Sequence, residues 1–265
     1  MLLKDFLTIY KKSMKGFKDA DPVTVGNPTR RLSEGDLFVI YTTHLPVYGI
    51  VLKSSKNTIQ FAYLTTYTAL ASVEAIGLKI DDLFEEVKLT HLVFETSVNN
   101  YIVPLKPVRK IDVVRENLER LKSITYGKIH EEFFETEKQR VQLILKLISE
   151  ENIAYVPVCS LKVLRKMSRQ MAIAATQKTT VRVNGAVIVK EDLGLRFYFS
   201  DQCEGRTGKI YLFEEIIYEG ILQNGLLIRH LEGFFHHINE HTMKIEIDPE
   251  SSQKPKERRR RREKS

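Results

Sequence analysis

Two hydrophobic patterns alternate along this chain of 265 residues. Apolar residues recur at helical spacing over 2–18, 112–123 and 127–152, with charged residues between them. Short runs rich in valine, isoleucine, tyrosine, phenylalanine and threonine, typical of strands, recur over 35–111 and again over 181–247. The pattern therefore predicts an N-terminal helix, a β-rich segment, a pair of helices and a second β-rich segment. On the paired helices the charges alternate in sign, which is typical of a solvated face.

The first β-rich segment contains short predicted strands at 37–41, 47–52, 58–63, 92–94 and 101–105. The polar segment Lys53–Asn57 suits a hairpin connection between the second and third of them. So many short strands within about 75 residues predict a small, strongly curved or barrel-like sheet.

The second β-rich segment opens on the strongest hairpin signal in the chain, Asn184-Gly185 between two valine-rich runs. A type I′ turn needs positive φ at both central positions, which Asn and Gly adopt at little cost. Asn224-Gly225 suggests a second hairpin of this kind. The other elements predicted here are helices at 160–177 and 231–239 and strands at 195–200, 209–217 and 243–247.

Together these elements predict an α+β protein with antiparallel β-meander or barrel-like units. We expect an N-terminal helix and β-rich domain at 1–111, a helical connector at 112–152 and a C-terminal α+β domain at 153–250. Residues 251–265 form a basic tail that we expect to be disordered, because it has high net charge and no aliphatic or aromatic residue to bury.

The net charge of +7 is concentrated in this tail. Residues 251–265 carry eight basic and two acidic residues, a net charge of +6, so the rest of the chain is close to neutral. Five consecutive arginines dominate the tail: Arg258, Arg259, Arg260, Arg261 and Arg262. The tail therefore predicts non-specific affinity for polyanions.

A second basic feature lies inside the chain, where no acidic residue occurs between Glu151 and Glu191. The cations chosen from this stretch as phosphate-binding candidates are Lys162, Arg165, Lys166, Arg169, Lys178 and Arg182. On a helix the first four fall within an arc of roughly 100°, where they repel one another unless an anion approaches. That anion is either an external polyanion or the acidic segment 201–250 of the same chain, and the third alternative is a solvated face.

These features favour a non-enzymatic regulatory protein that binds a polyanion, RNA or DNA, through the basic face and the tail. Guanidinium groups bind two phosphate oxygens at once. Phe197 and Tyr198, on a nearby predicted strand, suit base stacking. The alternative from another class of protein function is an assembly factor with an acidic protein partner.

Arg165-x-x-x-Arg169, followed by a strand meander and a helix, resembles the PilZ family of cyclic-di-GMP receptors. The two-unit plan is similar to that of flagellar-brake PilZ proteins. The resemblance implies a cyclic-dinucleotide-responsive adaptor. The second motif of that family, Asp/Asn-x-Ser-x-x-Gly, does not occur in this sequence.

The sequence His237-Ile-Asn-Glu240-His241 spells the inverted zincin signature. Two histidines at i and i+4 on a helix can bind zinc, but only 24 residues follow to supply a third ligand. We therefore predict no metal site, and His237 and His241 are the candidates should one exist.

No phosphate-binding glycine loop and no G-x-S-x-G elbow occur in the sequence, so we predict no catalytic residue and no cofactor and lean against an enzyme. Cys159 and Cys203 are too few for a disulfide framework and are expected to be reduced thiols. No apolar run has the length of a membrane span, and we expect a cytoplasmic location. The oligomeric state is left open.

Overall fold

The computed structural model describes residues 1–15, 32–42, 45–80, 85–99, 101–108, 110–150, 180–191 and 193–248. In these ranges the chain forms three α-helices, one 3₁₀ helix and thirteen strands, and every strand pairing is antiparallel. The predicted α+β class with antiparallel sheets is confirmed. The predicted helix at 160–177 lies outside the described residues.

The N-terminal elements are α1 (Leu3–Ser13), β1 (Asp36–Ile40), β2 (Val47–Ser54), β3 (Thr58–Thr65), β4 (Gly77–Ile80), β5 (Glu85–Ser97), β6 (Ile102–Pro107), α2 (Ile111–Lys122) and α3 (Lys128–Glu150). The C-terminal elements are β7 (Thr180–Val183), β8 (Ala186–Glu191), β9 (Gly194–Phe199), β10 (Thr207–Leu212), β11 (Glu215–Ile221), β12 (Leu226–Arg229), the 3₁₀ helix (Glu232–His237) and β13 (Met243–Ile247).

The N-terminal strands form one six-stranded sheet in the order β4-β5-β3-β2-β1-β6. Successive residues of a strand point to opposite faces, and both faces of this sheet are apolar. Phe38 and Ile40 join a hydrophobic cluster that includes residues of α1 and α3, whereas Leu37 and Val39 join a second cluster with residues of α2. Helices therefore cover the sheet on both sides.

The C-terminal strands form two smaller sheets, β12-β9-β8-β7 and β11-β10-β13. Among the described residues, the outermost strands of each sheet have a single strand partner, so the described strands do not close into the predicted barrel. Closure is not needed to bury their apolar faces, because residues such as Ile188, Phe197 and Ile210 belong to the same hydrophobic cluster as Phe38 of the N-terminal sheet. One core therefore spans both β-rich segments.

Two predictions of strand connection were wrong. The predicted strand 209–217 is divided by a turn at Phe213 and Glu214, whose φ values of 51° and 68° lie in the left-handed region, and β10 pairs with β11 across it. Asn224-Gly225 does not connect a hairpin, because β12 pairs with β9 rather than with β11.

A buried ion pair on α3 contradicts the prediction that the charges of this helix all face solvent. Arg140 Nε lies 3.0 Å from Glu137 Oε1, and both side chains are almost fully buried. The hydroxyl groups of Tyr10 and Tyr63 donate hydrogen bonds to the Glu137 carboxylate, and Arg140 Nη1 donates to the carbonyl of Leu45. The pair thus links α3 to α1, to β3 and to the segment before β2.

The structure also bears on the predicted reduced thiols and on the predicted lack of a membrane span. Cys203 is a buried free thiol, and Cys159 lies outside the described residues. None of the helices in the described ranges is both long and apolar enough to cross a membrane.

Candidate anion-binding surface

Most of the basic residues predicted to bind phosphate lie outside the described residues. These are Lys162, Arg165, Lys166, Arg169 and Lys178, together with the tail arginines Arg258, Arg259, Arg260, Arg261 and Arg262. Arg182 is the described member of the set, and it lies on β7 with its side chain exposed.

The β7–β8 hairpin that carries Arg182 forms as the sequence predicts. Asn184 and Gly185 have φ values of 46° and 78°, as a type I′ turn requires. The side-chain amide of Asn184 donates a hydrogen bond of 2.8 Å to the carbonyl of Met243, which fixes the turn against β13.

The strand register brings Arg182 and Tyr198 onto one face of the sheet. Arg182 is paired with Val187 across β7 and β8, and Val187 is paired with Tyr198 across β8 and β9. Directly opposed residues in an antiparallel sheet point to the same face. Tyr198 is 44% exposed, so an arginine and a tyrosine lie at the two ends of a cross-strand row that opens to solvent.

A groove of about 410 Å³ lies over this row. Its polar and aromatic lining includes Arg182, Asn184, Tyr198, Ser200 and Glu240, and Val187 lies between Arg182 and Tyr198 on the sheet. The groove therefore combines one cation, one carboxylate, neutral hydrogen-bonding groups and two aromatic residues, of which Tyr198 is exposed and Phe199 is buried. We call it the Arg182–Tyr198 groove.

Arg182 and Arg196, which lie on the same face of the sheet, differ in what they contact. Arg196 forms a two-point ion pair with Glu191, its Nε lying 2.5 Å from Oε1 and its Nη2 2.8 Å from Oε2, and it also donates to the carbonyl of Gly225. Arg182 has no side-chain hydrogen bond or ion pair with any other residue that the structure describes. Toward the described part of the chain, its guanidinium donors are therefore unused.

Phe197 cannot stack on a base, contrary to the prediction. Its side chain is fully buried and stacks on Phe199, with 6.1 Å between the ring centroids. Because neighbours along a strand point to opposite faces, Tyr198 faces solvent while Phe197 faces the core.

Several acidic residues of the 201–250 segment already have cationic partners. Glu215 lies 3.1 Å from Lys12 of α1, Glu219 lies 3.0 Å from Lys209, and Glu246 lies 2.5 Å from Lys244. These carboxylates are therefore partly neutralised by cations other than those of the 162–182 stretch. Asp201 and Glu204 are exposed and leave the internal-pairing alternative open.

The helix predicted at 231–239 is a 3₁₀ helix at Glu232–His237, and it does not extend to His241. The 3₁₀ helix ends at His237, and Ile238 is extended with φ −76° and ψ 118°, so the two histidines do not share a helix face. His237 is buried against the hydroxyl of Tyr67, whereas His241 is exposed. Within the described part of the chain, no group of three His, Cys, Asp or Glu side chains is arranged to hold a metal ion.

Sequence reasoning had identified Arg182 and Tyr198 but not Asn184, Ser200 and Glu240 as lining residues. Asn184 was recognised only for its turn, and Glu240 only as part of the zincin-like signature. Ser200 lies just beyond β9, where no motif marks it. Compared with models of protein families, with curated proteins and with solved structures, the chain matches none of them.

Proposed function

We propose that this chain is a non-enzymatic binding protein for single-stranded nucleic acid, and that the Arg182–Tyr198 groove holds one nucleotide of the strand. The observation that carries the proposal is the pairing of an exposed tyrosine ring with a guanidinium that has no partner among the described residues, on one cross-strand row. Guanidinium groups bind phosphate oxygens in pairs, and exposed aromatic rings stack on unpaired bases.

The groove favours a single strand over a duplex. Tyr198 can stack only on a base whose face is free, and the bases of a duplex already stack on one another. A volume of about 410 Å³ is within the general range of ligand pockets, about 300–1,000 Å³.

Charge within the groove supports one orientation of the nucleotide. Glu240 repels a phosphate, so the backbone is placed beside Arg182. Glu240 and Ser200 then remain for the base edge, where a carboxylate accepts hydrogen bonds from amino groups such as that of cytosine.

The basic residues outside the described ranges add to this site in the proposal. Lys162–Lys178 precede β7 in the sequence, and the tail carries a net charge of +6. Their contribution is sequence-independent and falls with salt, because it comes from the release of counterions.

We expect Arg182→Ala and Tyr198→Ala each to weaken the binding of a fluorescein-labelled single-stranded oligonucleotide. Loss of one base–aromatic stack costs about 1–3 kcal/mol, so Tyr198→Ala should raise Kd by about 5- to 150-fold. The measurement is fluorescence anisotropy of the full chain at two or more salt concentrations, with the corresponding duplex as competitor.

The matched control is Arg120→Ala, which removes one exposed arginine of α2 that does not line the groove. A chain ending at residue 250 should keep the effect of Tyr198→Ala but lose several units of the salt slope, since each phosphate contact on a single strand contributes about 0.7. Binding that is independent of salt, or unchanged in Tyr198→Ala, contradicts the proposal.

Titration with cyclic di-GMP tests the PilZ-like alternative against the proposed binding of single-stranded nucleic acid. Saturable binding of the dinucleotide that is lost in Arg165→Ala with Arg169→Ala, and kept in Tyr198→Ala, supports that adaptor instead. Binding of an acidic protein without binding of any oligonucleotide supports an assembly factor.

A further inference from the structure

The 3₁₀ helix Glu232–His237 packs against the segment Thr66–Thr68, which follows β3 of the N-terminal sheet. A Cβ atom on Gly233 would lie 2.6 Å from the carbonyl oxygen of Thr66, so only glycine allows this approach. The ring centroids of Phe234 and Tyr67 lie 5.0 Å apart, and the Tyr67 hydroxyl lies 3.3 Å from His237 Nε2. This contact is one place where the C-terminal half meets the N-terminal sheet.

Glu232 lies at the centre of the contact and is only half satisfied. Its side chain is 2% exposed, and Oε1 accepts a hydrogen bond from the hydroxyl of Thr68. Oε2 is buried and has no hydrogen-bond partner among the described residues. An ionised carboxylate with an unpaired buried oxygen is costly, whereas the protonated carboxyl carries no charge.

The charged groups around Glu232 do not remove this cost. Burial raises the pKa of Glu232 above its ordinary value of 4.5, and the nearby carboxylate of Glu86 on β5 raises the pKa further. The hydrogen bond from Thr68, the backbone amide of Glu232 itself and Lys190 of β8 lower the pKa without cancelling the rise. His237, on the same 3₁₀ helix, interacts with Tyr67.

We propose that Glu232 is a proton-dependent latch that holds the 3₁₀ helix on the Thr66–Thr68 segment when its carboxyl is protonated and weakens that contact when it ionises. A carboxyl whose pKa is higher in the closed form stabilises that form fully below its ordinary pKa. This stabilisation is lost as the pH rises through the raised pKa. The contact is therefore strongest in acid and weakens as the pH rises, and this proposal does not depend on the proposed function.

Hydrogen–deuterium exchange of the full chain between pH 4.5 and 8 tests the latch. After correction for the pH dependence of intrinsic exchange, the opening constant of peptides covering 231–238 and 65–71 should rise with pH. Glu232 has its ordinary pKa in the open form and a raised pKa in the closed form. Between these two values, the opening constant should rise about tenfold per pH unit.

Glu232→Gln should remove this pH dependence, because the amide does not titrate, and Glu204→Gln, a change at an exposed carboxyl outside the contact, should preserve it. Thr68→Val removes the hydroxyl that bonds Oε1 and should increase opening in the same two peptides at neutral pH. A corrected opening constant that does not change with pH in the unmodified chain, or one that changes equally in Glu232→Gln, overturns the latch.

Discussion

Replacing Glu137 with glutamine is expected to lower the free energy of unfolding by about 3–5 kcal/mol, because Arg140 would remain charged and buried without its partner. Glu137 is fully buried, and both of its oxygens accept hydrogen bonds from Arg140 and from tyrosine hydroxyls. Chemical denaturation near pH 7 measures the loss.

The pH dependence of unfolding offers a second measurement of the same pair. Burial by itself raises the pKa of Glu137, but the Arg140 guanidinium and the hydrogen bonds from Arg140, Tyr63 and Tyr10 outweigh it and hold the pKa below its ordinary value of 4.5. A carboxyl with a lowered pKa stabilises the folded state above its ordinary pKa, and this contribution is lost as the pH falls below it. We therefore expect the destabilisation by Glu137→Gln to shrink in acid, the opposite trend to that of Glu232.

Two controls distinguish a buried charge from a general change in α3. Glu135 forms an exposed pair with Lys138 at 3.8 Å, so Glu135→Gln should cost less than about 1 kcal/mol. Glu137→Leu with Arg140→Met removes both charges and should be more stable than Glu137→Gln. Equal losses in Glu135→Gln and Glu137→Gln would falsify the assignment of stability to the buried pair.

Replacing Gly49 with alanine is expected to cost about 1–3 kcal/mol by overpacking the core. A Cβ atom at this position of β2 would lie 2.4 Å from the ring of Phe38 and 2.6 Å from that of Phe61. These rings are fully buried and pack edge to face, with 4.9 Å between their centroids. The strand cannot move aside, because β2 is paired with β1 on one edge and β3 on the other.

Thermal unfolding checks this prediction, since each kcal/mol corresponds to about 2–4 °C in Tm for a chain of this size class. Gly127→Ala is the control, because its added methyl group would meet no atom within 4 Å. If Gly49→Ala unfolds at the same temperature as Gly127→Ala, the aromatic pair can separate and the core is less tightly packed than the distances indicate.

Local sequence signals predicted the elements whose conformation depends mainly on residues adjacent in the sequence. Asn184-Gly185 forms its hairpin because both residues tolerate positive φ, whatever lies around them. The helices predicted at 112–123 and 127–152 begin and end within two residues of α2 and α3, because their apolar stripes are continuous. The alternation of β7 and β8 likewise placed Arg182 on a solvent-facing side.

Features that depend on distant partners could not be predicted in this way. The turn at Phe213 and Glu214 has no glycine, and it is held where Lys12 of α1 donates a hydrogen bond to the Phe213 carbonyl. Glu137 and Arg140 have the same i,i+3 spacing as the exposed pair Glu135 and Lys138. Contacts with the tyrosines of α1 and β3 and with the carbonyl of Leu45 distinguish them.

By itself, then, the sequence determined the helices α2 and α3, the β7–β8 hairpin and the antiparallel α+β class, because each follows from neighbours along the chain. The tertiary structure decided which residues share a surface. Arg182, Tyr198 and Glu240 come together through strand register and loop packing, and Glu232 meets Thr68 across 164 positions of sequence. Such contacts depend on long-range packing, which no local pattern encodes.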